Sequence, residues 1–506
     1  MSANRWVFLA VVSLLAGGCG GSSKPVSANS AGDGGSAGGT DGGTAADGGS
    51  AGGGGGSGTD GGTSACVPTT CAVTGKNCGS IADGCGGTID CGQCSSGQTC
   101  GGNGTGNVCG VPPPSGGSTR WARIYSSSGD DVLGGLGSDV DGNAVVLWYD
   151  SGDQELRFEK DSDGDHTIWA HAFPVSESPV HGNDLIVAPG GDLYLHVITP
   201  SGFWSTIYID LGGGRAAGAL VARYTTRGEF VTNVTGCGQD CNSLVMAVSA
   251  TGERVELHSA SQTWILLVHA DGTTRMLAVA SVLQQGTVLP DGAQYGPAAF
   301  DHDGNILLAG AAFEPVTILG QDIGEQGRER PFLLKLDSKG DPLWVRALSG
   351  IEGSIGGLGV SALGTVVASG GFVGQLDWGS GHLSHPGNRD NDLVGFLLTA
   401  EKDGQPRWAR QIEPRVGALA VDPSGRAAVA GTRAGCGEPF VQVYNLAGDA
   451  LWERSFPGVC AGASVHAASL PDHGFLIGGT FTGNADFGLG PVISQKLDGF
   501  IVDLAP

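Results

Sequence analysis

The chain has 506 residues, 93 of them glycine, and a formal net charge of −24 at pH 7. So acidic a chain repels phosphate backbones and anionic lipid headgroups, which excludes nucleic acid as a partner and disfavours an anionic membrane surface. The abundant glycine turns and the lack of long amphipathic runs argue against a helical fold.

The first nineteen residues have the pattern of an export signal. Arg5 supplies a positive charge, residues 6–16 are apolar except for Ser13, and two glycines precede Cys19. Eleven helical residues rise roughly 16 Å, about half of a ~30 Å hydrocarbon core, so the run is too short to span a membrane. Residues 1–18 are therefore predicted to be a signal peptide.

The sequence around Cys19 resembles the lipobox of bacterial lipoproteins. It reads Leu15-Ala16-Gly17-Gly18-Cys19, with Ala16 where that family prefers leucine. The resemblance implies that Cys19 is lipidated and becomes the first residue, and Gly20 in place of aspartate is compatible with sorting to the outer membrane. We therefore expect a protein anchored by lipid in the outer membrane or at the cell surface. The alternative is an ordinary signal peptide that releases a soluble secreted protein.

Residues 19–64 are predicted to form a disordered tether. The segment consists almost wholly of Gly, Ala, Ser, Thr and Asp and contains no aromatic residue. It cannot bury enough apolar surface to offset the entropy of ordering it. As a glycine-rich coil it would reach roughly 35 to 40 Å on average.

Residues 65–110 are predicted to be a small disulfide-rich module. Sizeable apolar residues are few there, so cross-links must replace a core, and an exported location permits them. A zinc module is the alternative, but only Cys91 and Cys94 have the two-residue gap of zinc ligands. We expect four disulfides, in a pairing that the sequence does not determine, among Cys66, Cys71, Cys78, Cys85, Cys91, Cys94, Cys100 and Cys109.

The rest of the chain contains a first repeated unit, a glycine turn followed by an apolar strand. It is clearest in residues 301–310, 361–370 and 422–431. Seven turns of this type are predicted, with their glycines at Gly142, Gly191, Gly252, Gly304, Gly364, Gly425 and Gly474.

A second unit alternates with the first and places a tryptophan after the glycine turn. It is clearest in residues 337–346, 401–410 and 445–454, each of which ends in Trp-x-Arg. The recurrence of the arginine from unit to unit favours a structural role. One unit of each type gives two hairpins, hence four antiparallel strands, which is the content of a propeller blade.

The two units close into a ring. Seven first-type turns are followed by only six second-type turns, because the chain ends after residues 500–504. The missing outer strand stands at the start of the domain, where Trp121 and Arg123 repeat the Trp-x-Arg pattern. Pairing the two ends would complete the last sheet and hide its edge. We therefore predict an all-β, seven-bladed β-propeller over residues 117–506, whose N-terminal strand closes the last blade.

This repeat is similar to the seven-bladed propeller repeat of large secreted and surface proteins of bacteria. Residues 377–381 (Asp-Trp-Gly-Ser-Gly) and 486–490 (Asp-Phe-Gly-Leu-Gly) resemble that family's loop signature between the middle strands. The resemblance covers about three quarters of the chain. It implies the fold and very little about function.

Two candidate sites follow from the loops. Glu159, Asp161 and Asp163 match the start of a calcium loop, but Ala170 stands where the bidentate acid belongs, so hairpin chemistry is the favoured explanation. The long connections 312–330, 371–394 and 480–497 carry aromatic and charged residues that a core does not require. We take His382, His385, Arg389 and Trp378 as candidate binding residues, although packing between blades is the favoured explanation for Trp378 and Phe487.

Two disulfides are also expected within the propeller, Cys237–Cys241 and Cys436–Cys460. No metal helix, phosphate loop or dinucleotide motif accompanies them. The favoured function is a monomeric, non-catalytic binding or scaffolding module for a protein or glycan partner, without a cofactor. The alternative is a propeller enzyme, a glycosidase or lyase, that acts on extracellular polysaccharide in the central funnel.

Overall fold

The chain forms two compact units, of which the larger runs from Gly116 to the C-terminus. The computed structural model describes residues 67–94, 99–100, 107–110, 116–162, 166–175, 181–198, 209–217, 219–234, 242–259, 263–280, 293–313, 315–387, 392–412, 415–433, 437–456 and 460–506. Among these residues, no helix is long and apolar enough to cross a membrane.

The larger unit is a seven-bladed β-propeller, as predicted, in which each blade is an antiparallel sheet of four strands named here inner, second, third and outer. Blade one comprises Val132–Ser138, Ala144–Asp150, Glu155–Ser162 and His166–Pro174; blade two His181–Val187, Leu193–Ile198, Ala219–Tyr224 and Phe230–Asn233; blade three Asn242–Val248, Arg254–Ser259, Thr263–Val268 and Thr274–Ala280; blade four Ala293–Phe300, Ile306–Ala312, Arg330–Leu336 and Pro342–Ala347; blade five Ile351–Val360, Val366–Trp378, Val394–Ala400 and Pro406–Ile412; blade six Arg415–Val421, Ala427–Thr432, Pro439–Tyr444 and Ala450–Ser455; blade seven Cys460–Ser469, Phe475–Asp486, Pro491–Leu504 and Thr119–Tyr125.

Ring closure follows the predicted scheme. The outer strand of blade seven, Thr119–Tyr125, comes from the start of the domain and pairs antiparallel with the last strand of the chain. Ile501 lies opposite Arg123 and Asp503 opposite Trp121. The first and last segments of the propeller thus share one sheet, and the last strand of the chain is paired on both sides.

The first-type turns are three-residue hairpin loops, and the third residue of each loop has a left-handed backbone. In the turn at Asp301, the Asp301 N–H donates to Asn305 O (2.9 Å) and the Gly304 N–H to Asp301 O (3.1 Å). Gly304 has φ 77°, a conformation that glycine adopts without steric cost. The Asp301 carboxylate accepts the N–H groups of Asp303 and Asn305, which explains the recurring Asp-x-x-Gly.

In blade seven the predicted position of the turn glycine is wrong by one residue. The hydrogen bonds of the turn run from Leu470 N to Gly474 O and from His473 N to Leu470 O. His473, with φ 73°, therefore occupies the left-handed position that was assigned to Gly474. Its imidazole Nδ1 lies 2.9 Å from the Asp422 carboxylate of blade six, so a contact with the neighbouring blade holds the turn.

The second-type units join neighbouring blades. An extra residue in the outer strand of blade four breaks the pairing between Lys335 and Leu336, and the bulge turns Trp344 onto the next blade. The Trp344 Nε1–H donates to Lys402 O (3.0 Å). A Cβ on Gly404, in the second-type turn of blade five, would lie 2.7 Å from the Trp344 ring, so this turn requires glycine for the ring as well as for φ.

Three other seams between blades have the same arrangement, with Trp169 over Gly228, Trp408 over Gly448 and Trp452 over Gly117. The arginines of the repeat act with the tryptophans: Arg346 Nε donates to Gly404 O (2.8 Å) and Arg454 Nη1 to Gly117 O (2.7 Å). The structural role expected for the Trp-x-Arg units is confirmed at these seams.

Apolar side chains of the sheets pack face to face between blades. Blades five and six, for example, share a cluster in which Leu397 and Trp408 meet Val429 and Phe440. Burying such faces on both sides of every blade drives the ring to close.

The smaller unit has almost no regular structure and is cross-linked. It contains the helix Cys71–Thr74 and two hairpins, Ser80–Ala82 with Thr88–Asp90 and Thr99–Cys100 with Cys109–Gly110. Two disulfides join Cys71 to Cys91 and Cys94 to Cys109, with Cα–Cα distances of 5.6 and 5.5 Å. Cys78 and Cys85 are also disulfide-bonded.

The disulfide interpretation of this module is thus confirmed for six of its eight cysteines. The sulfur atoms of Cys78, Cys94 and Cys109 lie within 4.8 Å of one another, a spacing that a metal could bridge. All three are in disulfides and are not free thiolates, which are the form that binds zinc. Cys66, Cys237, Cys241 and Cys436, and the side chains of Cys100 and Cys460, lie outside the described residues.

Candidate functional site

The candidate binding residues lie on a hairpin that extends blade five. The second strand continues to Trp378, turns, and returns as Gly381–His385, with Asp377 opposite His382. The Ser380 N–H donates to Arg407 O (2.8 Å) in the outer strand of the same blade. A Cβ on Gly379 would lie 1.9 Å from that same carbonyl oxygen, so the glycines of the loop signature allow the tip to rest on the backbone of the sheet.

The aromatic residues of these loops face inward. Trp378 is 3% exposed, and its Nε1–H donates to Thr399 O (2.8 Å). Phe372, Phe481 and Phe487 are fully buried. The expectation that aromatic side chains are displayed on these connections is therefore wrong for Phe372 and Phe481, whereas the favoured packing interpretation of Trp378 and Phe487 is confirmed. The tips of the hairpins need an apolar plug to seal the blade beneath them.

Two histidine–aspartate pairs lie on the blade-five hairpin. His382 Nδ1 lies 2.6 Å from Asp377 Oδ1, and both side chains are largely exposed. His385 Nε2 lies 3.5 Å from Asp392 Oδ2, with the imidazole mostly covered and the carboxylate exposed. The hairpin can thus offer carboxylate acceptors together with imidazole groups. Arg389 lies outside the described residues.

Blade two contains a third copy of the loop signature, which was not expected from the sequence. Asp210 accepts the N–H groups of Gly212 and Gly214, both at 2.9 Å. Asp486 makes the corresponding bonds to Gly488 and Gly490 in blade seven. The plug at this position is Leu211, 2% exposed, and the absence of an aromatic residue hid the match.

The residues considered for calcium lie in the seam between blades seven and one. Glu159 accepts the indole N–H of Trp148 (3.0 Å), and Asp161 accepts the Tyr125 hydroxyl (2.9 Å). Arg123 from the closing strand is ion-paired with Asp161 and lies 3.7 Å from Glu159. Burial and the nearby Asp161 carboxylate raise the pKa of Glu159 to about 6. The cation that meets these carboxylates is thus a guanidinium, and Asp163 lies outside the described residues.

A polar layer fills the seam between blades two and three. Asp184 on the inner strand of blade two lies opposite His196, so the two side chains share the face that packs against blade three. Blade three carries Glu256 and His258 at this seam. Glu256 Oε2 and His258 Nε2 are 2.9 Å apart, and both residues are buried. Arg254 forms an ion pair with Glu256.

Electrostatics link the two halves of this layer. Burial acts to raise the pKa of Glu256, but the His258 hydrogen bond and the Arg254 charge outweigh it and hold that pKa below its usual value. Arg254 and Glu256 also act on Tyr194 of blade two, whose pKa is raised mainly by burial. Burial likewise raises the pKa of Asp184, although its carboxylate is exposed to solvent. A signal was present in the sequence: Arg254, Glu256 and His258 alternate at positions that are apolar or glycine in the other second strands.

The fold and the seams define a seven-bladed β-propeller protein with a small disulfide-bonded module. No protein-family model and no curated protein matches the sequence. Solved structures similar in fold include the Dos1 propeller, with 10% identity, a TM-score of 0.41 and coverage of 75% of this chain and 93% of that one. Polysaccharide lyase Uly1 has 10% identity, a TM-score of 0.42 and coverage of 74% and 89%. A prolyl endopeptidase has 12% identity, a TM-score of 0.41 and coverage of 71% and 49%. No residue role is carried over from them.

Proposed function

We propose that this chain is an exported, lipid-anchored propeller that holds a protein or glycan partner at the cell surface without transforming it. The chief support is that buried charges hold the ring together. Lys335 Nζ lies 2.7 Å from Asp301 in its own blade and 3.2 Å from Lys402 O in the next. Lys160 makes the equivalent contacts to Asp139 and to Thr226 O. A ring so fastened is a rigid platform for its loops.

The loop surface that this platform presents is the blade-five hairpin. Binding residues concentrate on loops that a rigid scaffold positions. His382 and Asp377 are exposed there, while Trp378 fixes the hairpin from below. We propose that His382, His385 and Arg389 contact the partner, and that Trp378 acts only by holding them in place.

Alanine substitution of His382, His385 and Arg389 together should reduce capture of purified surface glycan or of a cross-linked surface protein. The melting temperature should fall by no more than a few degrees, because His382 is exposed and His385 only partly covered. His166, an exposed histidine at the start of the outer strand of blade one, is a matched control, and His166→Ala should leave capture unchanged. Undiminished capture by the triple variant would remove the hairpin from the proposal.

The anchor part of the proposal is tested separately. Disulfides in the small module agree with an exported location, since reducing compartments keep thiols free. Cys19→Ala should release the protein into the soluble fraction and abolish labelling by a radioactive fatty acid. A protein that remains in the membrane fraction without label would be held there by another means.

A second candidate function is a polysaccharide-cleaving enzyme, and the polar layer between blades two and three favours it. Asp184, whose pKa is raised by burial, lies on the face of blade two that packs against blade three, and blade three carries a buried histidine–glutamate pair at that seam. Such perturbed groups are typical of acid–base sites. Degradation of extracellular polysaccharide that is lost in Asp184→Asn, while the fold is kept, would establish this function in place of simple binding.

A further inference from the structure

The first-type turns form a ring around one mouth of the central channel. Each joins an inner strand to a second strand, so its tip is the part of the blade nearest the axis on that face. The residue after the first turn position is exposed in all seven blades, and six of the seven are apolar: Val140, Pro189, Ala250, His302, Ala362, Pro423 and Pro471. Leu363 follows Ala362 and is 78% exposed. We call these eight residues the collar.

Neighbouring tips of the collar touch one another. The Ala362 N–H of blade five donates to Pro423 O of blade six (2.9 Å). A Cβ on Gly190 of blade two would lie 3.0 Å from Ala250 O of blade three, and one on Gly142 would lie 3.6 Å from Pro471. At three of the seven junctions between blades, the exposed apolar residues of neighbouring turns therefore lie against one another and are not isolated surface positions. Contiguous exposed apolar surface on a soluble domain marks an interaction site.

The inner strands below the collar come close together because their side chains are small. A Cβ on Gly135 would lie 2.7 Å from Leu185 of the next blade, and one on Gly357 would lie 2.6 Å from Leu419. The mouth of the channel is thus narrow and lined by backbone and small side chains. It suits the insertion of aliphatic side chains better than a broad, flat contact.

The charge at the collar is negative. Asp141 and Asp303 are exposed next to Val140 and His302, and Asp472 next to Pro471 is ion-paired with Arg120. In each of the seven turns, all of which are described, two residues separate the first turn position from the left-handed residue. None of these residues is lysine or arginine. The whole chain has a net charge of −24, so its field repels anionic lipid and a second copy of itself.

We propose that the collar is a docking site for a protein segment that has an aliphatic tip flanked by basic residues. The tip would enter the channel mouth against Val140 and Leu363, and the basic flanks would meet Asp141 and Asp303. This surface goes beyond the proposed function, because it is independent of the blade-five hairpin and does not require the lipid anchor.

The test uses the full chain and a fluorescein-labelled peptide with a Leu-Pro-Leu centre between pairs of lysines. Anisotropy should show binding that weakens with added salt, and at least about ten-fold weaker binding to Val140→Ser with Leu363→Ser, because aliphatic contacts are lost. Matched controls are Leu343→Ser and Leu451→Ser, 50% and 45% exposed on outer strands, which should bind as the parent does.

A second pair of variants keeps the test decisive if the serine variants do not fold. Asp141→Asn with Asp303→Asn should weaken the lysine peptide at least three-fold and leave a peptide with serines in place of the lysines unaffected. The proposal is overturned by equal binding of a glutamate-flanked peptide, by equal losses in the outer-strand controls, or by no binding at millimolar peptide. Capture of anionic vesicles through the collar, or its burial in a dimer, would replace it with a different interface.

Discussion

His473 shows how one residue can depart from a repeat and still be held by it. The other first-type turns have glycine at the left-handed position, and His473 adopts φ 73° there. Its imidazole contacts Asp422, and its carbonyl oxygen accepts from Arg426 of blade six. Contacts with the neighbouring blade therefore compensate for a backbone conformation that side chains disfavour.

Substitutions at His473 should separate the backbone cost from the contact. We expect His473→Ala to lower the free energy of unfolding by more than His473→Gly, by about 1 kcal/mol, because alanine keeps the left-handed strain and glycine relieves it. Gly252→Ala is the control: Gly252 has φ 89° and a Cβ would have nothing within 4 Å, so only the backbone cost remains. Equal stability of the two His473 variants in urea unfolding would contradict this account.

Asp131 is the residue from which we expect a pH dependence. It is fully buried and accepts hydrogen bonds from the Ser127 hydroxyl (2.8 Å) and the Ser151 N–H (3.2 Å). Burial nevertheless raises its pKa to about 7. The folded protein therefore binds the proton more tightly than the unfolded chain, whose aspartates titrate near 3.9.

Between about pH 4 and pH 7 the contribution of Asp131 to stability falls as the pH rises. In Asp131→Asn this loss should disappear, so that the drop in melting temperature from pH 5 to pH 7.5 becomes smaller than in the parent. His466, whose pKa is lowered to about 4 by burial, acts in the opposite direction but is present in both proteins. Asp153→Asn, at an exposed acid, should keep the parental slope, and an unchanged slope in Asp131→Asn would refute the assignment.

At the scale of strands and turns, the bulged tryptophan is the device that joins blades. The seam between blades two and three lacks it, because Thr232 stands at the position of Trp344 and a Cβ on Gly272 would have nothing within 4 Å. In its place is the polar layer of Asp184, Glu256 and His258. This seam also has the smallest apolar cluster among the described residues, built on Tyr194, Val221 and Val245.

We expect Thr232→Trp to raise the melting temperature by a few degrees, since the ring would cover the open turn at Gly272. Trp344→Ala should have the opposite effect, with a cost of about 3 to 5 kcal/mol, as for other buried tryptophans. Thr232→Ala is the control and should change little, because Thr232 is exposed. If Thr232→Trp proves no more stable than Thr232→Ala, the missing tryptophan does not limit the stability of this seam.

At the scale of the whole molecule, closure of the ring depends on one short segment. Thr119–Tyr125 completes blade seven, Gly117 seats Trp452, and Arg120 pairs with Asp472 and Asp503. Those contacts unite residues that are more than 330 positions apart in sequence. The closing strand is therefore the point at which the last blade and its seams are made.

Deletion of residues 117–125 should lower the melting temperature far more than deletion of residues 20–64. The first removes a paired strand and the seat of a tryptophan, whereas the second removes a segment that is too polar to build a core. Thermal unfolding of the two truncated proteins beside the parent measures the difference. Equal melting temperatures would argue that closure contributes nothing to the stability of the ring.

The sequence by itself determined the all-β fold, the seven blades, the closing strand and the cross-linked module. These properties depend on local chemistry that repeats, namely left-handed glycine turns, apolar strands and Trp-x-Arg units, and repetition makes weak signals countable. The exposure of Phe372 and Phe481 was misjudged because it depends on where a hairpin folds back, whereas Trp378 packs as favoured and donates to Thr399 O in the sheet.

Only the tertiary structure decided which residues meet across the seams. The charges of Arg254 and Glu256 on blade three act on Tyr194 of blade two because two separate blades pack. The same holds for His473 with Asp422 and for Arg123 with Asp161. The collar is likewise invisible in any one repeat, since a lone Val or Pro in a turn is unremarkable until seven turns are brought to one rim. Closing the ring converts residues that are scattered along the chain into neighbours, and no local pattern encodes that step.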